Sequence, residues 1–277
     1  PAFATASVLV LGIGVGSISL MFSILNAVVL APLPYPQPRD LVWVWAENAS
    51  GAQNSISYED YLDYAEDVTA FRSLATYMRF RQTRILTGGE EAEQVVTYRV
   101  SANFFSTLGV PPLVGRSFLA SEELAGAARV ALLSHGFWQR RFGGDPAVAG
   151  TTVSMDGEPV EIVGVMPPEF DYPAGAEAWL PLERDAQYAQ GRGENNFFVV
   201  GRLSAGASLT QAQAQMDVVA QNIAETYPEV MAGWRVRLLT LHERLFGEAR
   251  DSILILTLIV SLVPLVACAN VASLFMT

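Results

Sequence analysis

The side chains that most often serve as bases, nucleophiles and metal ligands are scarce in this chain. Its 277 residues include two histidines and one cysteine. Ser134 and His135 are adjacent, and neighbours in a helix point to different faces, so they form no dyad. Cys268 lies in an uncharged apolar run, and a zinc site needs three or four Cys, His or carboxylate ligands at suitable spacing. Asp156-Gly157-Glu158 lacks the alternating oxygen ligands of a calcium loop. The sequence holds no G-x-x-x-x-G-K-[ST] phosphate loop and no G-x-S-x-G elbow. The residues therefore predict no catalytic group, no cofactor and no metal in this segment.

Spacing is more informative among the glycines. Gly12, Gly14 and Gly16 sit inside an apolar stretch with no strand before it, which excludes a dinucleotide loop. Gly12-x-x-x-Gly16 instead makes a small-residue face that permits close helix approach. Pro264 predicts a kink in the second apolar stretch. Asn270, the most polar residue deep in that stretch, predicts a hydrogen bond to another helix.

These residues need long apolar helices to carry them. Residues 1–38 and 252–277 hold no charged side chain, and every charge lies between positions 39 and 251. Runs at 2–30 and 252–277 are long enough to span hydrocarbon at 1.5 Å per residue. Pro32-Leu33-Pro34-Tyr35-Pro36 ends the first helix, with Tyr35 and Trp43 as candidate interface residues. A start at Pro1 and a stop inside an apolar run read as a segment of a longer chain. The net charge of −11 argues against nucleic acid and against an anionic membrane surface, both of which need clustered Lys and Arg.

The middle of the chain reads as α+β. Leu41-Val42-Trp43-Val44-Trp45 is apolar on both faces and predicts a buried strand. Ser57, with Asp60 three residues on, starts a helix whose Glu59, Asp63, Glu66 and Asp67 form a solvated stripe. A short helical stretch around Phe71 precedes a strand near 77–86. Gly88-Gly89 predicts a hairpin with 94–100, across which Arg79, Arg81 and Arg84 would pair with Glu90, Glu91 and Glu93. Ser101 caps a helix through Leu108, and Ser134 caps one through Phe142. Asp156-Gly157 predicts a tight hairpin. A strand at 197–203 precedes a helix opened by Ser208 and Gln211, followed by a strand at 234–241. The outer pieces fit one split βαβ layer, with a β-rich insertion between them.

Several motifs together resemble a known family. Leu11-Gly12-Ile13-Gly14, Ser23-Ile24-Leu25-Asn26-Ala27-Val28 and the proline-rich turn are similar to the first span of MacB/FtsX-type ABC transporter permeases, the duplicated-permease (ADOP-like) branch in particular. Val100-Ser101-Ala102-Asn103-Phe104-Phe105, Arg141-Phe142-Gly143-Gly144-Asp145-Pro146, Val163-Gly164-Val165-Met166-Pro167-Pro168 and Ala267-Cys268-Ala269-Asn270-Val271-Ala272 continue the likeness in order.

The resemblance implies an extracytoplasmic α+β domain, a split βαβ porter-like layer with an inserted β-rich lobe, flanked by two transmembrane helices. The expected boundaries are a first span at 1–33, porter-like layer at 34–86 and 193–246, lobe at 87–192 and second span at 247–277. It further implies the bacterial inner membrane, with residues 39–251 in the periplasm, and further spans downstream. An ABC ATPase domain or subunit would bind the ATP. A permease dimer or pseudo-dimer and a periplasmic partner protein complete the expectation, whose function is export (efflux) or mechanotransmission. A two-span sensor with a ligand-binding outer domain fits the same helices. A membrane-anchored hydrolase lacks a nucleophile–base pair.

Overall fold

The computed structural model describes residues 2–26, 32–88, 92–184, 186 and 189–275. The chain divides into two compact units, Pro34–Leu241 and the flanking stretches Pro1–Leu33 with His242–Thr277.

In chain order the elements begin with α1 (Ala2–Leu25), β1 (Leu41–Glu47), β2 (Gln53–Asn54), α2 (Tyr58–Asp67) and β3 (Phe71–Met78). There follow β4 (Gln82–Thr87), β5 (Glu93–Val100), α3 (Phe104–Leu108), β6 (Val114–Gly115), β7 (Val130–Leu133), α4 (His135–Phe142), β8 (Thr152–Met155), β9 (Glu158–Val165) and β10 (Ala178–Pro181). The last are β11 (Phe197–Leu203), α5 (Leu209–Thr226), α6 (Pro228–Met231), β12 (Arg235–Thr240) and α7 (Leu241–Phe275).

β3, β11, β1 and β12 lie side by side, each antiparallel to its neighbour. The units β1–α2–β3 and β11–α5–β12 are each split by a strand of the other, the expected split βαβ arrangement. Val42, Val44, Phe197 and Val199 pack under Met216, Val219 and Ile223 of α5. Trp43, on the opposite face of β1, is also buried. Coverage on both faces explains why β1 reads as an unbroken apolar run. Ser208 and Gln211 form the expected reciprocal cap of α5. Gln213 of the same helix donates to the Val236 carbonyl and accepts from the Leu238 amide, at 2.9 and 3.0 Å. It thereby satisfies edge groups of β12 that would otherwise invite another strand.

The lobe is inserted between β3 and β11. Its strands close into a ring in the order β5–β4–β8–β9–β7–β10, with β10 returning to β5 in parallel. Closure leaves the ring without a free edge. Phe137 and Trp138 of α4 pack on its core with Leu86, Val95, Leu133 and Ile162. Among the described residues β4 pairs with β5 and β8 alone, so this strand, which a boundary at 86/87 would cut, goes with the lobe.

Some sequence expectations change. Phe71 begins a strand, because long-range pairing to Leu203 outweighs local helix preference. Asn103, not Ser101, precedes α3, while the Ser101 hydroxyl accepts from the Thr76 amide. Arg84 pairs with Asp156, and Glu93 with Arg140 and Arg141, because the ring brings other elements closer than the expected hairpin partners. Glu90 and Glu91 lie outside the described residues. Tyr35 and Trp43 are buried in the domain rather than placed as interface anchors, and burial pushes the Tyr35 phenol up to about 12. Among the described residues no single helix is long and apolar enough to cross a membrane. One pair, Leu241–Gly247 with Ser252–Val266, bent by 52°, reaches that length and hydropathy together.

Asp156 and Gly157 both take positive φ, 52° and 84°, as a two-residue hairpin turn requires. The Asp156 carboxylate accepts from the Ile85 amide at 2.8 Å and from Arg84 at 2.9 Å. The Ile85 hydrogen bond first, and Arg84 second, hold this carboxyl below its usual range. A lowered folded pKa gives stability present above the ordinary value of about 3.9 and lost as pH falls through the folded value. Asp156→Asn is expected to be less stable than the parent at pH 7, the gap closing below about pH 4. Urea midpoints showing the same gap from pH 7 to pH 3 would count against this pairing.

Candidate functional site

The described residues contain no group of three or more His, Cys, Asp and Glu placed to hold a metal. His135 stacks edge-on against Trp138, and His242 lies against Phe246. The features with consequences are mechanical joints between the layer and the lobe.

The first joint is an aromatic seam. Tyr77 of β3 meets Phe104 of α3, Tyr172 and Phe198 at ring distances of 5.5–5.7 Å. Phe105 meets Phe118, Phe170 and Trp179 at 5.5–5.8 Å. The Tyr77 and Tyr172 hydroxyls share a hydrogen bond of 2.9 Å. Edge-to-face rings of this kind add to burial energy and fix relative orientation. The layer and lobe therefore share one core here.

Arg202 forms the second joint. Alternation along β11 puts Phe198, Val200 and Arg202 on the face turned away from α5. The Arg202 guanidinium is buried and donates to the carbonyls of Thr107, Leu108, Pro36 and Gln37. It therefore ties the returning strand, the end of α3 and the segment leading into β1 at one point. Burial pulls its pKa down, against the attraction of Asp40. A charge at a core-parity position of an apolar strand was the sequence signal for it.

A third joint holds the chain where it leaves the lobe. Arg192 contacts Asp60 at 2.6 Å, Asp63 at 2.7 Å and Glu59 at 3.6 Å, and stacks on Tyr227 at 4.3 Å. The expected solvated stripe on α2 is thus partly consumed by one arginine. Burial pushes the Asp60 carboxyl up, against the opposing pull of Ser57 and Arg192.

In the flanking unit the glycines change roles. Gly12 and Gly16 are exposed, and a Cβ at either meets nothing within 4 Å. Gly14, between them, is buried, and its added Cβ would lie 3.0 Å from Cβ of Pro264. Helical rotation of about 200° over two residues puts Gly14 opposite the Gly12 face. Pro264 thus meets Gly14, and a bend of 52° in α7 lies between Gly247 and Ser252, where the charged residues end. The Asn270 side chain lies outside the described residues.

Comparison with known proteins defines the class. Residues 4–219 match the MacB-like periplasmic core domain, and the chain belongs to that family. Solved structures share its fold. A domain of a putative permease from Porphyromonas gingivalis matches at 15% identity and TM-score 0.56, over 75% of this chain and 92% of that one. The extracellular domain of the noncanonic ABC-type transporter YknZ from Gram-positive bacteria matches at 15% and 0.52, over 71% and 99%. The periplasmic region of MacB from Actinobacillus actinomycetemcomitans matches at 12% and 0.55, over 76% and 93%. No curated protein matches the chain.

Replacing Arg202 by Met leaves its carbonyls without donors, at an expected cost of about 1–3 kcal/mol. Arg202→Lys should recover only part, since an ammonium lacks the planar fork. Unchanged urea stability of the Met variant would remove Arg202 from this role. For the flanking helices, Gly14→Leu should lower the SDS-unfolding midpoint of the full chain as a monomer in detergent, while Gly12→Leu and Gly16→Leu leave that monomer's midpoint in place. Equal effects at all three positions would contradict the Gly14–Pro264 contact.

Proposed function

We propose that this chain is the extracytoplasmic relay of an ABC-type permease. α1 and α7 cross the bacterial inner membrane, and residues 39–251 lie in the periplasm. ATP binds to an ABC ATPase domain or subunit in the cytoplasm, and its closure is passed through the helices to the domain. The permease works as a dimer or pseudo-dimer, engages a periplasmic partner protein, and serves export or mechanotransmission. Gly12 and Gly16, exposed within this chain, together with Asn270, face other helices of the assembly.

One observation supports the relay above the rest. The start of β1 and the end of β12, the strands joined to the two flanking stretches, are paired neighbours, with Val42 opposite Thr240. A pull on either flanking helix thus reaches one of two paired strands of the same sheet. Arg202 then links the segment before β1 to α3 beneath the lobe. The uncharged ends of the chain support the membrane reading.

The test uses the full-length permease with its ATPase in nanodiscs. A spin label goes at Leu113→Cys in the lobe, which is exposed, in a Cys268→Ser background, so that the separation is read between the two copies of the permease dimer. Trapping with ATP and vanadate should shift the label separation relative to the nucleotide-free state. Identical distance distributions in both states would refute the relay and leave the sensor reading in its place.

A further inference from the structure

The core of the six-stranded ring opens to solvent in a cleft of about 310 Å³. Met155, Val160 and Leu180 belong both to the ring's core and to the cleft wall. Three arginines share that wall with them: Arg129, exposed and paired with Glu158, and the two strand residues Arg84 of β4 and Arg99 of β5. Strand alternation explains their direction. Arg84 is two residues from Leu86, and Arg99 is four from Val95, and both of those reference residues are core. Cations turned toward an apolar interior need a counter-charge.

Their present counter-charges sit nearer water than they do. Arg84 pairs with Asp156 at 2.9 Å, and Arg99 with Glu183 at 2.8 Å. The Arg99 side chain is 15% exposed and that of Glu183 is 48% exposed. Arg99 also donates to the Pro181 carbonyl at 3.0 Å, which fixes its head at the cleft. An exposed carboxylate of this kind is readily exchanged for another, because exposed ion pairs contribute little and water receives the one displaced. Met155, a side chain that adapts to varied apolar shapes, lines the same cleft. Leu124, exposed at the rim, adds apolar cover.

We propose that this cleft binds a small molecule made of one carboxylate and an apolar group of about six carbons. The carboxylate takes the place of Glu183 on Arg99, in a two-bond guanidinium contact. The apolar group lies on Met155, Val160 and Leu180, as ligands do in the mouths of barrels. One negative charge suits the site, since Arg84, Arg99 and Arg129 stand against Glu122 and Glu183 in its lining, one positive charge in excess. A free short-chain acid and the C-terminus of a peptide ending in an aliphatic residue both have this chemistry. The proposal is independent of the relay and stands or falls without it.

The experiment follows the methyl resonance of Met155 in the full chain, labelled with 13C-methyl methionine, in lipid nanodiscs. Met155→Leu assigns the resonance. Hexanoate, N-acetyl-leucine and hexanol are titrated separately. A saturable shift with either carboxylate, at least tenfold tighter than with hexanol, supports the site. Preference for hexanoate identifies a free acid, and preference for N-acetyl-leucine a peptide terminus. Arg99→Met should weaken carboxylate binding at least tenfold. Should that variant lose its dispersed methyl spectrum, Leu124→Asp serves, since it adds a negative charge at an exposed rim position. It should weaken hexanoate at least tenfold and leave hexanol unchanged. No Met155 shift with either carboxylate, an equal response to hexanol, or full carboxylate affinity in Leu124→Asp overturns the proposal.

Discussion

β11 has to return from the lobe and insert between β1 and β3, and every other feature of the domain depends on that placement. Its pairing runs from Phe197 opposite Met78 to Leu203 opposite Phe71, and its other side pairs with β1. Both strands lie far from it in sequence, so the loop-closure cost is recovered only when the lobe is complete. One face of β11 then supplies Phe197 and Val199 to the core under α5. The opposite face supplies Phe198 to the aromatic seam and Arg202 to the cluster of carbonyls.

The joints around this strand make the layer and lobe mechanically continuous. Aromatic contacts between Phe105 and Trp179, or Tyr77 and Tyr172, bury large areas with fixed orientation. Arg202 adds direction, because a guanidinium satisfies several carbonyls only when all of them hold their places. Arg192 holds the chain leaving the lobe to α2. These contacts hold the layer and lobe together within the fold of a MacB-like periplasmic core domain.

Local signals were legible wherever the backbone geometry is set within a few residues. The Ser57 and Ser134 caps, the Ser208–Gln211 box and the Asp156-Gly157 turn all lie where the sequence puts them. Phe71 was misread because its conformation is chosen by a partner over a hundred positions away. The arginine–glutamate pairs were misread for a related reason. Arg84 and Glu93 have partners on β8–β9 and α4 that only ring closure brings near. Spacing named Gly12 and Gly16 as a packing face, and within this chain the structure adds Gly14, which meets Pro264.

The sequence by itself determined the segregation of charge, the α+β pattern and the scarcity of catalytic groups. Each of these follows from composition, periodicity or a local cap. Only the tertiary structure decided that the inserted strands close into a ring, that Arg202 is the buried link, and that Arg84 and Arg99 line a cleft over the ring's core. Those results depend on which distant strands become neighbours, and strand pairing over such distances is set by the summed fit of whole surfaces rather than by any short stretch of residues.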